Sequence, residues 1–438
     1  MRKHCRDFCA FFIAFFGALA STSCSYEEET FHTDEPFRVA LSLSPFALNQ
    51  FEDGYSFVVG DKTATTPTEL QAIYRDLGST EMYVRIATKR HKTYLEDGVT
   101  LDNTVDGVED ENANVHTFDQ SLELCKIAAD LDIPLNPEVM LAYVYMDMDR
   151  QEAPRFEEYP EIYALQKGKD WSELSLDEIC HVLYAYGAFV AEQLLTTGCT
   201  INNWNIGNEA NNGFAGIGIG MKTAVNPDLE KKSDLMKYTG SVFSVWWLKE
   251  NLWPYEAQAL NATKKGILSA YYKLGIDTTN VKFSTHIATV VANPRSAVSF
   301  FETMAKNGYV MDTAGISYYP SAPSMAIDTW DLLTKTVVRI NHKLGIPVFI
   351  AEFAYPSGKM EGPFKSWNKK FDDYEHTEQG QADLYADVIS WGKRHGLAGI
   401  RYWAPDYEGW YGMSMFEFDN KQGTAKTILI NHKELIDK

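Results

Sequence analysis

Of the 60 acidic residues in this 438-residue chain, only a few end a strand-like run, and two of these stand out. Glu209 closes Trp204-Asn-Ile-Gly-Asn208, and Glu352 closes Val348-Phe-Ile-Ala351. A carboxylate at the end of a buried run is costly unless it is partnered or used. Two such groups across one bond suit acid–base and nucleophilic work. One, protonated, donates to a leaving oxygen, while the other, ionised, attacks carbon, which is what cleavage of a glycosidic bond requires. Asn208, next to Glu209, adds an amide able to hydrogen-bond a sugar 2-hydroxyl. An Asn-Glu pair arises by chance about once in a chain of this length, so the weight rests on the joint pattern.

The elements that must position these residues alternate along the chain. Strand-like runs fall at 39–44, 81–85, 135–145, 203–208, 281–286, 313–318, 347–352 and 397–403. Helix-like runs fall between them at 68–77, 119–131, 176–196, 262–274, 297–307, 328–344 and 378–395. Ser175 with Glu178 three residues on is a capping box, and Thr117 heads the helix before it. With a weak last helix after the eighth strand, eight strand–helix alternations imply a parallel sheet, and over roughly 400 residues they fit a (β/α)8 TIM barrel with enlarged βα loops. A doubly wound sheet lacks its main support, because no G-x-G-x-x-G follows the first strand. Gly216, Gly218 and Gly220 are read as loop glycines. In a barrel, chemistry sits at the carboxyl ends of the strands. Glu209 ends the fourth strand and Glu352 the seventh, which face each other across an eight-strand ring.

Composition limits the alternatives. Sixty Asp+Glu against 40 Lys+Arg leave a net charge of -20, a poor match for nucleic acid. Six Cys are too few for a disulfide scaffold. Three of them precede residue 25, and Cys125, Cys180 and Cys199 are expected as buried thiols with at most one disulfide. Residues 1–23 carry a basic start and a short apolar run, the build of an export signal, and they precede Cys24. Cys24 is the expected lipidation site, 24–36 an acidic tether, and 37–438 a single barrel domain. The expected location is the bacterial outer membrane, lipid-anchored and surface-exposed. No H-E-x-x-H and no clustered His pair suggests a metal enzyme, so no cofactor is expected.

Five segments resemble glycoside hydrolase family 53, the endo-β-1,4-galactanases of clan A. They are Asn205-Ile-Gly-Asn-Glu-Ala-Asn-Asn-Gly213, Gly315-Ile-Ser-Tyr-Tyr-Pro320, Val348-Phe-Ile-Ala-Glu-Phe-Ala-Tyr-Pro356, Thr377-Glu-Gln-Gly-Gln-Ala382, and Gly399-Ile-Arg-Tyr-Trp-Ala-Pro405 with Met415-Phe-Glu-Phe-Asp419. The resemblance implies a (β/α)8 barrel and a retaining double displacement on a polysaccharide, with Glu209 as acid/base and Glu352 as nucleophile. It also implies substrate-binding positions for Arg85 near the nucleophile, for Tyr319, in preference to Tyr318, as a phenol on the nucleophile, and for His286 beside Glu209. Trp403 would floor the subsite under attack, with Trp410 and Tyr411 as exposed stacking rings. Some relatives bind calcium in the last loops. Asp406, Glu408 and Asp419 could supply oxygens there, although a solvated acidic loop accounts for them better.

The first half of the chain departs from the family. Ser42-Leu-Ser-Pro45 stands where an Asp is usual near the end of strand one. Ala142-Tyr-Val-Tyr-Met-Asp147 stands for Asp-Phe-His-Tyr-Ser-Asp at strand three, with Val144 at the His position. Two other readings stay open: a clan A hydrolase of another β-linked glycan, and a non-catalytic surface glycan-binding protein on the same fold.

Overall fold

The computed structural model describes residues 35–232 and 242–437, together with Phe31 and Thr33. The export signal, Cys24 and most of the tether lie outside the described residues. Eight parallel strands form the central sheet: β1 Arg38–Ala40, β2 Met82–Ile86, β3 Leu135–Val139, β4 Trp204–Ile206, β5 Phe283–Ala288, β6 Thr313–Tyr318, β7 Val348–Phe353 and β8 Leu397–Tyr402. Their order is sequential from β2 round to β8, and β8 then pairs with β1. The helices between them are α1 Pro67–Asp76, α2 Phe118–Asp130, α3 Leu176–Thr196, α4 Trp253–Leu274, α5 Pro294–Lys306, α6 Trp330–Leu344 and α7 Glu378–His395. The fold is a (β/α)8 barrel.

The seam between β1 and β2 is sealed by side chains. Val39 N–H donates to Thr80 Oγ1 at 2.9 Å, and Leu41 N–H to Ser79 Oγ at 3.1 Å. Tyr83 N–H donates to Ser42 Oγ at 2.9 Å. Hydroxyls thus take the place of a ladder where β1 is too short to supply one. A four-stranded sheet of Phe416–Asp419, Gln422–Ala425, Ser56–Val59 and Lys62–Ala64 joins the segments that follow β8 and β1.

Several boundaries differ from the sequence reading. The third strand stops at Val139, six residues early, because Leu141 adopts a left-handed conformation (φ 57°) and turns the chain out of the sheet. Residues 142–147 therefore form a loop over the barrel mouth, where Val144 and Tyr145 N–H both donate to Glu152 at 2.8 Å. Helix α4 starts nine residues ahead of the expected 262, after a separate helix at Val242–Asn251. Of the loop glycines, Gly218 belongs to a short pairing of Gly213–Phe214 with Ile217–Gly218. Cys125, Cys180 and Cys199 are free thiols.

Helices α3 and α4 cross backbone to backbone. A Cβ on Gly266 would stand 2.0 Å from the Tyr184 carbonyl oxygen, and one on Gly187 would stand 2.6 Å from that of Thr263. These two helices flank β4 in sequence, so their spacing bears on where β4 sits. Gly266→Ala is expected to destabilise the fold by about 1–3 kcal/mol through overpacking. Thermal or denaturant melts measure this, and an unchanged midpoint would show that the helices part at no cost.

Candidate active site

Bulges aim the two central groups. On β7, Ile350 pairs with Ile316 of β6, but Glu352 pairs with Ser317, so Ala351 is an extra residue. Val348, Ile350 and Phe353 belong to the core under the helices, whereas Phe349 and Ala351 cluster apart from it with Ala398. The bulge thus puts Glu352 on the inner side with Phe349 and Ala351. On β8, Phe349 pairs with Gly399 after Val348 pairs with Leu397, so Ala398 is also extra. Arg401 follows, buried at the barrel mouth. Gly399 is obligatory there, because a Cβ would lie 2.2 Å from the Arg38 carbonyl oxygen.

Glu209 leaves β4 through Gly207 (φ 87°) and is itself left-handed at φ 45°. A non-glycine residue in that region is strained, and such strain clusters at functional sites. Its carboxyl lines the same cavity as that of Glu352.

A buried polar network fixes Glu352. Arg85 Nη2 pairs with Glu352 Oε1 and also donates to Asn208 Oδ1 at 2.9 Å. Arg85 Nε donates to Glu138 Oε1 at 2.7 Å. Tyr319 OH donates to Glu352 Oε2 at 2.6 Å. Glu138 Oε2 accepts from Asn205 at 3.1 Å and from Arg401 at 3.4 Å, and the Arg401 guanidinium lies 3.7 Å over the Tyr83 ring.

His286 sits beneath this network, fully buried and away from the cavity lining. Its Nδ1 is 3.0 Å from Asn205 Nδ2 and its Nε2 is 3.0 Å from Asn208 Oδ1. The Asn205 amide faces Nδ1, and Nε2 lies between Asn208 Oδ1 and the Glu209 N–H, the latter at 3.3 Å. Burial pushes His286 down to about 4, so it is neutral. Asn208 is oriented by three partners, since its amide also donates to the Met146 carbonyl. The sequence reading placed His286 and Arg85 on substrate; the structure places both behind the groups that line the cleft.

Electrostatics separate the two carboxyls. Burial raises both. For Glu352, Arg85 and the Tyr319 hydroxyl oppose that rise. For Glu209, the charges of Glu352 and Asp147 add to it, and it is held well above the usual carboxylate range. The proton of the pair therefore resides on Glu209.

The cavity has a volume of about 480 Å³. Tyr319, Trp403, Trp410 and Tyr411 line it with both glutamates. Tyr318, by contrast, is fully buried and packs on Phe353 and Phe371. Trp403 is half-buried, with its ring 5.8 Å from the Arg85 guanidinium. Trp410 is not the exposed ring the sequence suggests. It is 3% exposed, packed edge-on against Phe364 at 4.6 Å and Trp403 at 4.8 Å.

The calcium set does not gather. Asp406 is fully buried and accepts from Ser44 N–H at 3.1 Å and Tyr74 OH at 3.4 Å. Glu408 accepts from Tyr55 OH, and Asp419 is exposed on a strand. These residues do not fit an ion. Among the described residues, Glu138, His286 and Glu352 alone have ligand atoms as close as a metal would need. The Arg85 guanidinium already pairs with both of those carboxylates.

Sequence reasoning missed Glu138, Arg401 and Asn205. A signal existed, since Asn136 and Glu138 fall two apart within a short strand, as do Asn203 and Asn205. Polar residues at that period face one side of a sheet.

A (β/α)8 barrel with two carboxyls of opposite environment at the mouths of β4 and β7 defines a glycoside hydrolase. The model of glycosyl hydrolase family 53 matches residues 163–427, more than half of the chain, and the chain belongs to that family. A structure of fungal β-1,4-galactanases aligns over 92% of this chain and 99% of its own, with 15% identity and a TM-score of 0.62. The family 53 catalytic domain of Ignisphaera aggregans aligns over 92% and 96%, with 17% identity and a TM-score of 0.63. At such identities these likenesses speak for the fold. No curated protein matches the chain.

Glu138 carries two guanidiniums, so its loss leaves both under-paired in a buried setting. Glu138→Ala is expected to cost about 3–5 kcal/mol, and Glu138→Gln less. Urea denaturation measures both; a parent-like midpoint for the Ala variant would show that the arginines find other partners.

Proposed function

We propose that the protein is a retaining endo-β-1,4-galactanase in which Glu209 is the general acid/base and Glu352 the nucleophile. One observation carries the assignment: Glu352 holds an arginine and a phenol, while Glu209 has carboxylates for charged neighbours. In the first step a Glu352 oxygen bonds to the anomeric carbon as the bond to the leaving oxygen breaks, and that oxygen takes the proton of Glu209. The glycosyl ester removes the Glu352 charge, so Glu209 ionises more readily. In the second step water attacks the same carbon, Glu209 takes its proton, and Glu352 leaves as carboxylate. Asn208 stands behind the cavity lining, held by Arg85, His286 and the Met146 carbonyl, and we propose that its remaining amide hydrogen serves the 2-hydroxyl.

The family and the named activity of the fungal structure support galactan as substrate. A second reading, another neutral β-glycan, is favoured by the first half of the chain. There Ser44 binds Asp406 instead of offering a carboxylate, and the early end of β3 replaces the expected strand-three motif with loop. A non-catalytic binding protein accords less well with two carboxyls in one cavity. We propose in addition that the enzyme is exported and lipid-anchored through Cys24 on the outer membrane, which release of Cys24→Ala protein into the medium would test.

Product analysis on a panel of galactan, arabinogalactan, xylan, mannan and β-glucan is the direct test. The expected outcome is soluble oligosaccharides from galactan with retained anomeric configuration. Products from another polymer alone would move the substrate, and inversion would overturn the roles. Glu209→Gln is expected to lose about 10²–10⁴-fold in kcat, and Glu352→Gln to leave no measurable turnover.

The pH profile tests the proton assignment. The alkaline limb reports loss of the Glu209 proton, which Asp147 helps to retain. Asp147→Asn removes a negative neighbour, so the limb is expected to move to lower pH. A limb that stays in place or moves up would sink this account.

A further inference from the structure

His116 precedes Thr117, the cap of α2, and is held from both sides. Its carbonyl accepts from Ala87 N–H at 2.9 Å, just past β2. Upstream, the Lys89 ammonium donates to the Ala113 carbonyl at 2.5 Å and to Asn114 Oδ1 at 3.0 Å. The loop carrying His116 is further bolted to the loop after β3 through Arg150–Asp110 and Arg155–Asp106 ion pairs. The imidazole is 2% exposed and lines the cavity, yet neither ring nitrogen has a hydrogen-bond partner.

A neutral imidazole presents one donor and one acceptor, and leaving them unmet inside a protein is unfavourable. Protonation is no remedy, because burial and the Arg85 and Arg150 charges hold His116 well below its ordinary range. Its neighbours form a closed ring beside Glu352. Tyr145 stacks on it at 5.9 Å, and the Arg85 guanidinium lies 5.7 Å from Tyr145 and 5.8 Å from Trp403. Phe46 stands edge-on to Trp403 at 6.3 Å and to His116 at 6.0 Å. The imidazole is one member of that ring, flanked by the Tyr145 face and the Phe46 edge, with the guanidinium beyond Tyr145. Glu111, Asp147 and Asp149 line the same cavity and disfavour an anion, while the Arg85 and Arg150 charges that act on the imidazole disfavour a cation held directly on it. The group that suits is small and neutral and both gives and accepts a hydrogen bond, which describes a sugar hydroxyl.

We infer that His116 is a substrate-binding residue that hydrogen-bonds a hydroxyl of the sugar adjoining the one attacked; this rests on the glycoside hydrolase reading proposed above. The test is steady-state kinetics on galacto-oligosaccharides, with thermal melts, for the parent and for His116→Phe, His116→Asn and His116→Gln. His116→Phe keeps the ring and deletes both nitrogens. It is expected to raise KM about tenfold with kcat within about twofold, and to melt no lower than the parent. His116→Asn, too short to reach the same hydroxyl, is expected to show the same rise in KM while staying polar, and so serves if the Phe variant does not fold. His116→Gln is expected to recover part of the affinity. An active parent whose Phe and Asn variants keep its KM overturns the inference and leaves the proposed function standing. A lower melting point with unchanged KM overturns it too, since the nitrogens would then have served the fold. A parent that cleaves none of the glycans overturns both.

Discussion

Charge balance in a buried space is the constraint on which the rest of this site depends. Two guanidiniums, Arg85 and Arg401, stand among three carboxyls, Glu138, Glu352 and Glu209, at the mouth of the barrel. Ions removed from water must be paired or neutralised. Two cations satisfy two carboxylates, and the third, whose charged neighbours are Glu352 and Asp147, keeps its proton. The difference between an acid and an anion is thereby set by counting charges, before any substrate arrives.

The barrel is unusual in what fills it. Bulky branched side chains commonly pack such interiors, whereas here Tyr83, Asn136, Glu138, Asn205, Ser284 and His286 are buried on the strands and hydrogen-bonded across them. Phe349, Ala351 and Ala398 form a small apolar cluster of their own. The large core lies between strands and helices, with residues such as Val348, Ile350 and Phe353 on one side and Leu333, Val337 and Ile340 on the other. Hydrophobic burial is left to the outer layer, and the inner layer is free to be a hydrogen-bonded scaffold. The cost is intolerance, because each polar member is a partner of the next.

How much of this was legible from sequence differs by element. Helix boundaries at 176–196 and 378–395 agree with the structure because caps and periodicity are local properties. Glu209 and Glu352 stood out because apolar runs precede them. Their orientation was not legible. Strict alternation from Phe349 would send Glu352 outward, and only the extra residue at Ala351 brings it in, a consequence of pairing with β6 and β8. Glu138 was hidden by the overlong third strand, since the left-handed turn at Leu141 depends on the loop that folds back from Glu152. Trp410 read as exposed because the sequence does not show which loops cover one another.

The first strand is joined to the last. Arg38–Ala40 pairs with Gly399–Arg401, and Ser44 donates to Asp406, a separation of 362 residues. Contacts so distant in sequence close late in folding, after most loop entropy has been spent. Glu138, Glu352 and the arginines between them come from strands two, three, seven and eight, so their mutual neutralisation waits for the same event. A chain whose ends must meet before its buried charges are matched stays open until almost all of it has emerged. Such a chain is poorly suited to settling early into a stable fragment.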